Sequence, residues 1–214
     1  IGAMYCCGMS TDEIEKKLQG FILTETYKKL KFDEMSSHGS KNIFADIFGK
    51  IKKSSFFYLS GIKEAILEKE AMNEMIRFFL PDIDFHDLKV RFACVAADIS
   101  HGVEVVFEKG PIREAVLASI SIPGIMPPVK YNGNILVDGG AVQLVPVKVV
   151  KDDGCDFSIG VDVSTGPFTV SKDELKSAFD IATRTNEIAL SILRQIQIKG
   201  ADFLIKPSVN NIKW

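Results

Sequence analysis

Few side chains in this sequence are placed to do chemistry, and the best placed is Asp138. Ile135-Leu136-Val137 reads as a short apolar strand that delivers one carboxylate at its end, with Gly139 and Gly140 following. Two glycines after an acidic residue let the backbone turn with positive φ. They also let another chain or a substrate approach where a Cβ would block it. Loops at the ends of buried strands are where α/β proteins place reactive groups. Taken alone, Asp-Gly-Gly is equally an ordinary turn. Upstream, Leu117 to Ile122 is apolar and small, Pro123-Gly124 breaks it and Pro127-Pro128 stiffens the exit, so the stretch from Ala115 to Pro146 is arranged around the acidic turn.

The other candidates carry less. Asp98 ends an apolar run and precedes Ile99-Ser100-His101-Gly102, which suits a turn residue bonding its own backbone better than a second acid. His38, His86 and His101 lie in polar loop contexts, none of them placed as the middle of a Ser-His-Asp triad. Cys6, Cys7, Cys94 and Cys155 show neither metal spacing nor a disulfide framework. They read as buried reduced thiols of a cytosolic protein, and no metal or cofactor is expected.

Several elements must position these groups. Ile1 to Gly8 finishes one helix, and Ser10, with Thr11-Asp12-Glu13 after it, caps another that runs through Ile14 and Leu18 toward Phe21-Ile22. Glu64 to Leu80 is helical in period and stops at Pro81. Val90 to Ala97 is apolar enough for a central strand, and Val103 to Phe107 is its hairpin partner. Phe157 to Val163 reads as a buried parallel-type strand. By alternation Asp162 sides with Gly160 and Ser158, which makes it structural. Ser171-Lys172-Asp173-Glu174 has the capping-box pattern ahead of a long helix ending at Gly200, and Phe203-Leu204-Ile205 is a last strand before Pro207. Strands alternating with helices point to an α/β layered sheet.

Composition sets the outer limits. With 46 % hydrophobic and 25 % charged residues, 214 residues can bury one sizeable core, and a net charge of −2 gives no basic excess for nucleic acid. No apolar run reaches the ~18 residues that a membrane span requires.

The order of motifs is more specific than any one of them. Ala118-Ser119-Ile120-Ser121-Ile122-Pro123-Gly124-Ile125-Met126-Pro127-Pro128-Val129, then Val137-Asp138-Gly139-Gly140 and Pro146-Val147, resembles the second half of a patatin-like serine acyl hydrolase. Ala97-Asp98-Ile99-Ser100-His101-Gly102, with Val105, Phe107 and Lys109-Gly110-Pro111, is similar to the hairpin that precedes this segment in the family. The resemblance covers roughly residues 88 to 164. It implies a three-layer α/β/α fold with a mostly parallel central sheet, incomplete at the N-terminus, and a single domain over 1–214. It also implies a Ser-Asp dyad with Asp138 as the base. Gly139, Gly140, Pro123 and Gly124 are the expected substrate-binding positions. A dyad requires no histidine, which agrees with the poor placement of all three. Gln143 stands where the family often has Asn.

Ile1-Gly2-Ala3-Met4-Tyr5 resembles the helix that follows the family's Gly-x-Ser-x-Gly nucleophile elbow, and that motif occurs nowhere in these residues. The nucleophile and the glycine-rich oxyanion loop are therefore expected upstream of Ile1, and residues 1–214 alone are expected to be inactive. Three readings follow. One is a phospholipase A or lysophospholipase acting on lipid esters. Another is an esterase or thioesterase for soluble esters, and the last is a non-catalytic lipid-binding protein with a degenerate elbow. Residues 24–61 read as a variable lid-like insertion. Within it Ile43, Phe44, Ile47, Phe48 and Ile51 recur at helical spacing beside Lys50, Lys52 and Lys53. Residues 42–53 thus fit either a lid helix packed on the core or an interfacial helix giving peripheral membrane contact to an otherwise cytoplasmic protein.

Overall fold

The computed structural model describes residues 1–30, 65–164, 169–171 and 175–208. The amphipathic 42–53 segment, His38, most of the 24–61 insertion and the core of the Ser171–Glu174 pattern lie outside them. The chain divides into two compact units, Ile1–Gly139 and Gly140–Ile212. The fold is α/β, with a sheet composition that is partly antiparallel.

In the first unit, α1 (Gly2–Cys6) and α2 (Thr11–Ile22) come first. Ser10 caps α2 as its sequence implies: its hydroxyl accepts from the Glu13 amide while the Glu13 carboxylate accepts from the Ser10 amide at 2.8 Å. The helix α3 (Glu25–Leu30) follows, then α4 (Lys69–Phe79). Helix α4 starts later than its period suggests, because Ala65 bridges Gly124 and the Leu67 amide donates to the Ile125 carbonyl at 2.9 Å, which holds this segment extended.

Strands β1 (Cys94–Asp98) and β2 (Val103–Phe107) form the expected hairpin. Residues 90–93 are not part of β1: the Lys89 and Val90 amides both donate to the Cys6 carbonyl, closing the C-terminal end of α1 instead. Helix α5 (Ile112–Ser119), β3 (Val129–Tyr131) and β4 (Asn134–Asp138) complete the unit. The sheet order is β2-β1-β4-β3, and every neighbour pair is antiparallel. Asn132 and Gly133 both have positive φ, the type I′ geometry that joins two strands through two residues. In the second unit α6 (Val147–Asp152), β5 (Ile159–Val161), α7 (Ala178–Gln197) and β6 (Phe203–Ile205) follow. Among the described strands the parallel pair is β5 with β6, and the first unit has one isolated parallel bridge, Ala65 to Gly124. Ser177 caps α7 through a capping box with Asp180.

One core cluster joins Ala3 and Met4 of α1 to Ala96 of β1, Ala115 and Ala118 of α5 and Leu136 of β4. Phe21, Leu30, Met72 and Met75 form a second cluster with Ile125 and Met126.

Candidate active site

Asp138 is the last residue of β4, and alternation along that strand decides where it points. Leu136 and Val137 are both buried, so both faces of β4 are covered. Asp138 pairs with Ala96 and Leu136 pairs with Asp98, and residues directly opposite in an antiparallel ladder share a face. Asp138 therefore lies on the face of Ala96 and Leu136, the face that carries α1 and α5. The residue is half-buried.

Its backbone is held from α5. The Asp138 amide donates to the Ser121 carbonyl at 2.8 Å, and Ser121 is fully buried, with its own hydroxyl donating to the Leu117 carbonyl at 2.7 Å. That hydroxyl takes up a carbonyl at the end of α5, where no further helical amide is available for it. Next comes the turn Ile122-Pro123-Gly124-Ile125, closed by the Ile125 amide on the Ile122 carbonyl at 3.1 Å, with Gly124 at φ +79°. Pro at the second position and a positive-φ Gly at the third match a type II turn. Pro123 and Gly124 are exposed on it.

Gly139 has a different role from the one its sequence suggests. Neither it nor Gly140 adopts positive φ; a Cβ on Gly139 would lie 2.1 Å from the Val95 carbonyl oxygen. Close approach to β1, rather than a left-handed turn, excludes any side chain there. A 3-10 turn over Gly139–Ala141 carries the chain away from Asp138.

Asp98 is buried and works within its own hairpin, as expected of a turn residue. One carboxylate oxygen accepts from the Ser100 amide at 2.8 Å and the other pairs with His101 Nδ1 at 2.8 Å. Burial pushes this carboxyl up, but the hydrogen bonds from His101 and the Ser100 amide pull harder and hold it below the ordinary Asp value. His101 is thus engaged with Asp98. His86 lies against Asp84 and Asp87 on a 3-10 turn.

All four cysteines are free. Cys6 is buried and burial raises the Cys94 thiol to about 12, while Cys155 is exposed, against the expectation of burial for all four. Among the described residues no group of His, Cys, Asp or Glu is gathered to hold a metal ion, and no helix is long and apolar enough to cross a membrane.

In the second unit the structural reading of Asp162 holds. Arg194 Nη1 lies 3.2 Å from both its carboxylate oxygens, and both residues are buried. The reading of β5 as a strand buried on its apolar face does not hold: Ile159 and Val161 face outward while Ser158, Gly160 and Asp162 are buried. Three features of these units were missed. The Asn132-Gly133 hairpin was legible from its dipeptide. The Ser121 clamp was not, and neither was Gln197, whose side chain accepts from Leu144 and Val145 amides at 2.9 and 3.4 Å and donates to the Val142 carbonyl at 2.8 Å. Such a clasp joins residues more than fifty positions apart, and no local pattern encodes it.

A family profile described as patatin-like phospholipase matches residues 1–151. The chain is 30 % identical over 99 residues to an uncharacterised NTE family protein of Mycobacterium tuberculosis H37Rv, covering 46 % of this chain and 28 % of that protein. It is 31 % identical over 128 residues to lysophospholipase NTE1 of Candida glabrata, covering 56 % of this chain and 7 % of the relative. The lysophospholipase NTE1 of Candida albicans is 33 % identical over 82 residues, covering 38 % and 6 %. The matched stretches span less than a third of the length of these relatives.

Proposed function

This chain belongs to the patatin-like phospholipase family, and from that premise we propose that it carries the base of a lipid acyl hydrolase of the phospholipase A or lysophospholipase type. Asp138 is the general base of a Ser-Asp dyad, and the serine is supplied from outside residues 1–214, which contain no Gly-x-Ser-x-Gly. The observation that carries this reading is the position of Asp138: half-buried at the end of β4, on the sheet face that carries α1, with its amide clamped by Ser121.

A serine hydroxyl is a weak nucleophile until a base takes its proton. The Asp138 carboxylate accepts that proton as the serine oxygen adds to the ester carbonyl carbon, and the carbonyl electron pair moves onto oxygen. Collapse of this adduct expels the alcohol oxygen, which takes the proton from Asp138 and leaves an acyl-serine. Water then adds in the same way, gives its proton to Asp138, and the fatty acid departs as the proton returns to the serine oxygen. Backbone amides of an oxyanion loop would contribute about 3 kcal/mol per donor to the charged adduct. Gly139 lets the end of β4 close on β1, Gly140 keeps the approach to the carboxylate clear of a side chain, and the exposed Pro123-Gly124 turn offers a lining for the acyl or headgroup side.

Lysophospholipase is the named activity of the fungal relatives, which supports a lipid ester over a soluble one. Fatty acid release by the intact protein from micellar lysophospholipid, compared with a short-chain p-nitrophenyl ester, tests the substrate class. Faster turnover of the soluble ester would favour the esterase reading. A natural residue other than serine at the nucleophile position of the elbow, with lipid bound and not hydrolysed, would make the protein a binding module.

A further inference from the structure

The hydrogen bonds between β1 and β4 do not stop where the strands do. The ladder runs from Ala96↔Asp138 to Asp98↔Leu136, and past its end the Ile99 amide donates to the Ile135 carbonyl at 3.0 Å. The Ile135 amide would next require a carbonyl from the hairpin loop. It donates instead to the Ser100 hydroxyl at 3.0 Å, so a side chain stands in for backbone. Ser100 is held in place by Asp98, which accepts from its amide, and the Gly102 amide closes the loop on the Asp98 carbonyl at 2.8 Å. Asp98 also pairs with His101, and it is buried although it sits at the end of an exposed loop.

Register is what this arrangement controls. A one-residue slip of a strand moves every side chain to the other face. Strand β4 has only three register pairs with β3, and the Asn132-Gly133 turn sets that side alone. On the β1 side the ladder also has three register pairs. A slip there would turn Asp138 away from α1 and put Val137 in its place.

We propose that Asp98 and Ser100 form a register lock: they are positioning residues that set β4 against β1 and so present the Asp138 carboxylate on the α1 face. This rests on the reading of Asp138 as the base. A reacting group misplaced by about 1 Å loses on the order of 10²-fold in rate, so a loosened lock lowers kcat without altering what the enzyme binds.

The test uses the intact, active protein with lysophospholipid as substrate. Asp98→Ala is expected to lower kcat at least about tenfold with KM within about twofold, whereas Asp98→Asn, which keeps an oxygen to accept from Ser100, recovers most of the loss. Because Asp98→Ala empties a buried site and can fail to fold, Ser100→Ala is the second variant. It leaves the carboxylate in place, and is expected to lower kcat about threefold and speed amide hydrogen exchange at Ile135 and Asp138 about tenfold, with Ser100→Thr restoring both. A purely structural role would shift the melting temperature without the kcat-only loss or the threonine rescue. Unchanged kcat and unchanged exchange in Ser100→Ala, beside an inactive Asp138→Asn, would overturn the lock and leave the base reading intact. An active Asp138→Asn would overturn the base reading and the catalytic consequence of the lock together.

Discussion

The two units of this chain are built on opposite plans. In Ile1–Gly139, apolar side chains fill both faces of β4, and the acids Asp98 and Asp138 stand at strand ends. In Gly140–Ile212, Ile159, Val161, Phe203 and Ile205 face outward on the parallel pair, and Ile188, Ile192 and Ile196 line an exposed stripe of α7. Buried there, beside Val145 and Val147, are polar groups: Asp162 with Arg194, and Ser158 with a hydroxyl donating to Asp202 at 2.7 Å. The first unit is thus held by hydrophobic burial, worth about 25 cal/mol per Å². The second adds to a smaller apolar set paired polar groups whose desolvation is repaid only while both partners are present.

Substitutions can break or sharpen this contrast. The largest effect on stability is expected from Asp162→Ala, which strands the Arg194 guanidinium in a buried site; urea denaturation should show a loss of about 3–5 kcal/mol. A loss under about 1 kcal/mol would mean that the polar pair does not hold the second unit. Leu136→Ala should cost about 3 kcal/mol in the first unit, while Ile159→Ala, at a residue 58 % exposed, should cost under about 0.5 kcal/mol. Equal costs would erase the contrast between an apolar core and an apolar surface.

Gly139→Ala drives a Cβ into the Val95 carbonyl and is expected to cost about 2–3 kcal/mol, whereas Gly124→Ala meets open space and pays only about 1 kcal/mol for its φ of +79°. Thermal melts of the two variants side by side decide whether close approach outranks backbone strain. The smallest effect concerns acid. Hydrogen bonds from Ser158 and Lys151 hold the Asp202 carboxyl at about 2, below its unfolded value. Its contribution is therefore present above pH ~4 and lost as pH falls through about 2. Ser158→Ala should move the acid-unfolding midpoint upward, and an unmoved midpoint would remove Asp202 from the account.

How much of this was legible in sequence depended on whether the signal was local. The Ser10 cap, the Pro123-Gly124 turn, the Asp98 loop and the strand into Asp138 each rest on residues within a few positions, and each lies where its pattern implies. Local reading failed where a distant partner intervened. Helix α4 begins at Lys69 because Gly124 claims Ala65, and residues 90–93 leave the sheet as the Cys6 carbonyl of α1 claims the Lys89 and Val90 amides. The Val/Ile alternation of β5 showed which residues share a face but not which face is covered. At the candidate site, Asp138 and its glycines announced themselves, whereas the Ser121 clamp and the reason for Gly139 required three-dimensional contact.

The role of Asp138 is tested most directly by Asp138→Asn in the intact protein, with fatty acid release from lysophospholipid measured beside circular dichroism. The amide keeps the shape and cannot take a serine proton, so kcat should fall by about 10²–10⁴-fold with the folded signal unchanged. Release within a few-fold of the parent would contradict it.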